Sequence, residues 1–401
     1  MSPLSRRRFL RALGLGAAGA AAYALCPGCR PRGATPAAAR PPRRVLADLH
    51  AHGWIDEWNR TTPFAREYPL LVESTAPLAN RTRVDWERCH AAGVDLVCVA
   101  HYNLFDEWIS MPVDPNPDAY RHAVMMLDQL EGALAGPLSP YARLARDRDV
   151  LASLLAVDKS TGAFRTAVVH ALEGAHALGG DIGAVEALAA RGVAYMSITH
   201  FFDKGVGSTA NAFPYFPDMG ASAPAVGLHP FGRELIAEME RVGVIVDVTH
   251  LSETAVADAL ETSRRPVLAS HAASRTLADR PYSLRDEHVV EIARRGGLVG
   301  VILYPFQLGN YSGTAEARRW GRLRDVVRTV RHFVKLVGPG RVAIGSDFGA
   351  YITPPRDMKR LSDVDRLRAL LLDEFSDESL VDAVMAGNAI DFLMKNWGRD
   401  A

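Results

Sequence analysis

The chain is poor in cysteine, carries no net charge and has no apolar run long enough to span a bilayer. Four cysteines in 401 residues exclude a disulfide-stapled scaffold. Two of them, Cys26 and Cys29, fall in an N-terminal segment that reads as removable, which leaves Cys89 on an expected helix and Cys98 on the strand after it. Both read as small buried hydrophobes rather than redox groups. The 46 basic and 46 acidic side chains cancel, so no nucleic-acid or polyanion partner is expected, and a small neutral or zwitterionic substrate fits better. There is no internal repeat, no low-complexity stretch after Arg40 and no composition shift. One domain over 41–401, ending in a short helical tail, is enough.

Residues 1–40 read as an address and a linker. Ser5-Arg6-Arg7-Arg8-Phe9-Leu10 matches a twin-arginine export signal, and the apolar segment 12–25 after it is only moderately hydrophobic. That segment falls short of the ~20 residues a spanning helix needs. Small residues over 34–39 offer a cleavage site, and the sequence before Cys29 is a poor lipoprotein box, so a lipid anchor is not the expectation. The expected location is periplasmic or otherwise extracytoplasmic, with the Tat translocon as the partner during export.

With 48% hydrophobic and 23% charged residues, the chain can bury a large core. Beyond Pro41 it alternates strand-like and helix-like segments, the pattern of an α/β protein with a parallel sheet. Eight runs rich in Val, Ile and Leu read as strands buried on both faces: 45–49, 96–100, 166–172, 194–198, 244–248, 266–269, 298–302 and 342–345. The expected fold is a TIM-like (β/α)8 barrel. Amphipathic stretches such as 232–242 read as helices between them, and 118–134 reads as an added helix. Long connections over 102–165, 201–231 and 304–320 follow strands and should wall the active face. Tyr304, heading the third, is a candidate substrate contact.

Metal-capable side chains follow these apolar runs. His50 and His52 stand two apart after the first strand, so both leave one face and can share a divalent ion. His250 and His271 end strands five and six and could hold a second ion, while Glu173, after strand three, has two oxygens with which to bridge. Asp347 ends strand eight, beside strand one. In such a barrel these groups converge at the C-terminal ends of the strands, where a two-metal site would hold a hydroxide nucleophile and polarise a scissile carbonyl.

The ordered motifs Glu173-Gly174-Ala175-His176, Tyr195-Met196-Ser197-Ile198-Thr199-His200, Gly227-Leu228-His229-Pro230-Phe231-Gly232, Asp247-Val248-Thr249-His250-Leu251-Ser252 and Gly345-Ser346-Asp347-Phe348 resemble the membrane (renal) dipeptidase family of the amidohydrolase superfamily. The resemblance runs from about residue 48 to 392. It implies a binuclear zinc dipeptidase on a TIM-like barrel, with His50, His52 and Glu173 on one zinc and Glu173, His250 and His271 on the other. It further implies that Asp347 carries the proton, that His200 contacts the substrate carbonyl or its oxyanion, and that Arg280 takes the free carboxylate of the dipeptide. A homodimer is compatible with this reading, and the sequence does not fix the oligomeric state.

The chain departs from the family at named positions. His52 stands where the family usually has aspartate, Pro281-Tyr282-Ser283 follows Arg280, and Gly349-Ala350 follows Phe348. These keep a second reading alive: another amidohydrolase reaction, on a lactone, a β-lactam or an N-acyl amino acid. A third, a catalytically silent exported metal- or ligand-binding protein, fits the presence of Asp347 poorly. His90, His122, His288 and His332 read as surface or packing residues on helices, His101 as a pocket-lining candidate beside the strand residue His170, and His176 as a support for Glu173. Asp203 and Lys204 read as a solvated loop pair.

Overall fold

The computed structural model describes residues 44–62, 65, 69, 70, 73, 80–108, 115–210, 226–309 and 321–399. The export signal lies outside these residues, as do 211–225 and 310–320 of the two later connections. Among the described residues, no helix is long and apolar enough to cross a membrane.

Nine strands form among the described residues: β1 (Ala47–Ala51), β2 (Leu96–His101), β3 (Ala142–Leu144), β4 (Thr166–Leu172), β5 (Val193–Ser197), β6 (Ile245–Asp247), β7 (Leu268–Ala272), β8 (Leu298–Val301) and β9 (Val342–Ile344). Eight of them close a parallel cylinder in the order β1-β2-β4-β5-β6-β7-β8-β9, with β9 returning to β1 through Asp48 opposite Ile344. All eight expected strands are present. The ninth, β3, is an addition: β5 meets β4 only from His170 onward, and β3 pairs with the earlier residues Thr166 to Val168.

Alternation sorts the strand residues into two cores. Ala47 and Leu49 of β1, Leu96 and Cys98 of β2, and Ala167, Val169 and Ala171 of β4 pack together inside the barrel. Val97, Val99, Val168 and Leu172 face the helical layer, where Ala119–Ala135 packs through Ala123, Met126, Leu127 and Leu130. Both described cysteines are buried and unpaired, and burial pushes their thiols up. They are packing residues.

The expected C-terminal tail is instead the floor of the barrel. Ala389, Ile390, Phe392 and Leu393 of the helix Asn388–Asn396, with Trp397, pack against Ala47, Leu96, Ile245, Leu268 and Leu298. Those five are the first residues of their strands, so the helix plugs the N-terminal mouth. A π-helical turn over Ala383–Gly387 leads into it. The opposite mouth is left for chemistry.

Candidate metal centre and active site

Glu173, the residue after β4, stands at the centre of five imidazoles. Its Oε1 lies 3.3 Å from His50 Nε2, 3.2 Å from His250 Nε2 and 3.5 Å from His271 Nε2, while its Oε2 lies 3.3 Å from His52 Nε2 and 3.7 Å from His200 Nε2. Asp347 Oδ1 is 3.3 Å from the same His52 nitrogen. Every metal-ligand candidate read from the sequence is therefore in one cluster. Around the carboxylate, His50, His250 and His271 gather at Oε1, while His52 lies between Oε2 and Asp347.

These residues fit divalent cations. Buried nitrogens His50 Nε2 and His52 Nε2 have no hydrogen-bond partner among the described residues, a costly arrangement unless something binds them. Two ligands ~2.1 Å from one tetrahedral ion stand about 3.4 Å apart, close to the separations around Glu173. Three triads bring one ligand atom per residue within 4.8 Å of one another: His50, His52 and Asp347; His50, Glu173 and His271; and Glu173, His200 and His250.

Neighbouring hydroxyls orient the rings. Tyr195 donates its hydroxyl to Leu49 O at 2.5 Å, so His50 Nδ1, 3.0 Å from the same oxygen, must be the donor there. That leaves the lone pair of His50 on Nε2. Ser270 repeats the logic by donating to Asp247 at 2.5 Å and standing 2.9 Å from His271 Nδ1, which directs the His271 Nε2 lone pair inward. Fixing the tautomer from the outer nitrogen is what a ligating imidazole needs.

The electrostatics favour cations. Burial opposes charge on His52, but Glu173 and Asp347 outweigh it and hold the imidazole protonated up to about pH 10. Burial likewise opposes charge on Glu173, yet His200, His50 and His52 hold its carboxyl well below the usual range. Burial, together with His50 and His250, pushes His271 well down and keeps it neutral. A field that attracts a proton this strongly also attracts a divalent ion.

Two of these residues sit on strained backbone. His250 has φ 70° and Asp347 has φ 60°, a left-handed region that costs a non-glycine residue roughly 1–2 kcal/mol. Hydrogen bonds hold both turns: Asp347 N donates to His50 O at 2.8 Å, and Ala210 N to His250 O at 2.7 Å. Gly345 lets the β9 end approach, because a Cβ there would lie 1.9 Å from Ser270 O.

The other expected residues have varied places. Arg280, in the loop after β7, lays its guanidinium over the Phe306 ring at 4.5 Å and reaches Gly309 O at 3.5 Å. Tyr304 packs on the same ring at 5.7 Å. Both stand on the active-face loops. His101 is not a pocket residue: its Nε2 is 2.9 Å from His170 Nδ1, and His170 Nε2 is 3.4 Å from Glu131, which makes a strut from barrel to helix. His176 packs edge-on against Tyr102 and lies over Gly174. Lys204 is buried against Phe202 rather than solvated, and Asp203 pairs with His229 at 2.8 Å. His122 bonds Asp106 and His332 bonds Asp286, while His90 stacks on Phe164, all in packing roles. Tyr195, Ser270, Asp48, Asp247, Ser346 and Glu107 support the site without having been singled out as site residues. Tyr195, Asp247 and Ser346 lie within the quoted motifs, Asp48 and Ser270 stand close to the candidate ligands His50 and His271, and Glu107 lies apart from all of them.

A parallel barrel with a carboxylate-centred histidine cluster at its C-terminal mouth defines a class of metal-dependent hydrolases. The sequence profile of the membrane dipeptidase family, peptidase family M19, matches residues 69–395. The chain belongs to that family. The match begins after β1, so His50 and His52 lie outside it. A curated relative, an uncharacterized dipeptidase of Schizosaccharomyces pombe, is 29% identical over 219 residues, covering 53% of this chain and 49% of the relative. The chain thus spans about half that protein's length. The solved dipeptidase AC, a metallopeptidase of family M19, superposes with TM-score 0.71 at 22% identity, covering 89% of this chain and 100% of that one. A Rhodobacter sphaeroides metallopeptidase liganded with a phosphinate mimic of L-Ala-D-Ala superposes with TM-score 0.69 at 21% identity, covering 88% and 100%.

Proposed function

We propose that the protein is an exported zinc-dependent dipeptidase that binds two ions and hydrolyses the peptide bond of free dipeptides. The observation that carries this reading is the position of Glu173, whose carboxylate oxygens lie within 3.5 Å of the Nε2 atoms of His50, His52, His250 and His271. His50, His52 and Glu173 would hold one ion and Glu173, His250 and His271 the other. Bound there, the ions would polarise the scissile carbonyl and acidify the attacking water. Asp347, anchored through its amide to β1, takes the proton of that water and delivers it to the leaving amine. His200 Nε2 offers its contact to the carbonyl oxygen as negative charge develops. Arg280, packed on Phe306, binds the terminal carboxylate, and Tyr304 flanks it.

The phosphinate mimic in the Rhodobacter relative supports an L,D-dipeptide among the substrates. A hydrolysis panel of L,L- and L,D-dipeptides, N-acyl amino acids and lactones, run on protein loaded with zinc, tests the reading. Turnover confined to dipeptides is expected, with about two zinc ions per chain by elemental analysis. Turnover of lactones or N-acyl amino acids alone would replace it with the broader amidohydrolase reaction that His52 leaves open. The Arg6-Arg7 motif supports export of residues 41–401 behind the signal 1–40. Substituting both arginines by lysine should leave the product in the cytoplasmic fraction.

A further inference from the structure

Glu107 lies on the short helix Leu104–Trp108 after β2, fully buried beside the cluster but apart from it. Its Oε2 accepts from His200 Nδ1 at 2.8 Å and from the Tyr102 hydroxyl at 2.8 Å, and its Oε1 accepts from the backbone N–H groups of Phe201 at 2.7 Å and Phe202 at 2.9 Å. An ionised carboxylate can only accept, so each of these four partners is the donor. Burial pushes its carboxyl up, but the charges of His200 and His176 and the bonds from His200 and Tyr102 hold it at about 2. The helix is itself bolted down. Asn103 accepts from Trp58 Nε1 at 3.1 Å and donates to Asp106, which also receives Asn116 and His122 at 2.7 Å.

We propose that Glu107 is the positioning residue for His200: it accepts the hydrogen bond from Nδ1–H and locks the ring so that Nε2–H, the donor that a developing oxyanion needs, is the group presented to substrate. The Tyr102 ring, edge-on to His200 at 4.4 Å, closes the other side of the clamp. The same carboxylate sets the backbone of Phe201 and Phe202, where the loop over the active face begins. The part played by substrate rests on the dipeptidase reading; the location of the proton does not.

Glu107→Gln isolates the effect. Its amide oxygen is claimed by the two backbone N–H groups, so its amide nitrogen must face His200 and present a donor where an acceptor stood. Nitrogen-15 NMR of histidine-labelled protein, assigned with His200→Ala, should show His200 Nδ1 protonated in the wild type and bare in the variant. In zinc-loaded enzyme kcat should fall at least ~10-fold with KM within about threefold, the signature of a lost charge-assisted contact. Zinc content and melting temperature should stay near wild type. On a His200→Ala background the same substitution should cost less than about twofold, because the two residues act as one unit. A bare Nδ1 in the wild type, or an undiminished loss on the His200→Ala background, would overturn the proposal. If wild-type enzyme cleaves no dipeptide, the functional reading fails and the NMR measurement alone decides the role of Glu107.

Discussion

Ser346 donates both its hydroxyl and its amide, the latter at 2.8 Å, to the buried carboxylate of Asp48. This clasp joins the end of β9 to β1 and delivers Asp347 beside His50 and His52. Across the barrel, Asp247 accepts the amide of Ser270 at 3.0 Å and its hydroxyl at 2.5 Å, and so delivers His271 beside His250. The two halves of the site are thus built by one device, a buried carboxylate on the serine that precedes a functional residue. Neither carboxylate needs to touch an ion to matter.

Removing the first clasp should be costly. Asp48→Ala strips the acceptor from the amides of His50 and Ser346 and from the Ser346 hydroxyl, and each buried donor left unpaired costs about 1–3 kcal/mol. A stability loss of about 3 kcal/mol or more is expected in urea unfolding, together with reduced zinc content. Burial, opposed by the Ser346 bonds, raises the Asp48 carboxyl to about 6. The folded state then holds its proton more tightly than the unfolded chain, whose carboxyl titrates near ~3.9. The stability of wild type relative to Asp48→Asn should therefore rise as pH falls from about 6 to about 4. Unfolding in the presence of a chelator reads this difference, and a flat difference would reject the shift.

Arg280 should govern recognition of the free carboxylate. Arg280→Ala is expected to raise KM for free dipeptides by about tenfold or more, matching the roughly 1.5–3 kcal/mol of a hydrogen bond to a charged group. Dipeptide amides should be affected far less. Equal effects on acids and amides would reduce Arg280 to its packing on Phe306.

The barrel floor makes a prediction that is independent of chemistry. Leu393 is fully buried among the first residues of the strands, and Leu393→Ala should cost about 2–5 kcal/mol. Zinc content and KM should stay near wild type, since the site is at the other mouth. Guanidinium unfolding beside elemental analysis separates the two properties.

The eight barrel strands are legible because burial on both faces writes them as continuous Val, Ile and Leu runs, and each lies within about two residues of expectation. The metal cluster is legible for the same reason, since its residues end those runs. β3 is not legible: Ala142-Arg143-Leu144 is too short and too polar to show a period. The floor helix shows an apolar face at Ala389, Ile390 and Leu393, but amphipathicity does not say which surface that face meets. Glu107 is hidden because its partner His200 is 93 residues away and nothing local marks it. The left-handed turns at His250 and Asp347 are hidden too, because glycine, the residue that announces such a conformation, is absent from both positions.

Asp347 carries the sharpest test. Its carboxylate stands 3.3 Å from His52 Nε2 and about one-tenth exposed, at the rim of the cluster, whereas Glu173 is nearly sealed within it. The attacking water must lose a proton, and the leaving amine must gain one before the C–N bond breaks, so a single carboxylate within reach of both can serve each step. Asp347→Asn keeps the side chain's size and leaves the backbone bond to His50 O intact, but it cannot take up the proton. The variant should keep its zinc and its melting temperature while kcat falls at least ~100-fold, the low end for general acid-base catalysis. Asp347 also belongs to a triad with His50 and His52 that could itself hold an ion, and if ligation is its main task, the same substitution should instead strip about one ion per chain. Elemental analysis beside turnover in this one variant separates the two roles, and a fully loaded, fully active Asp347→Asn enzyme would reject both.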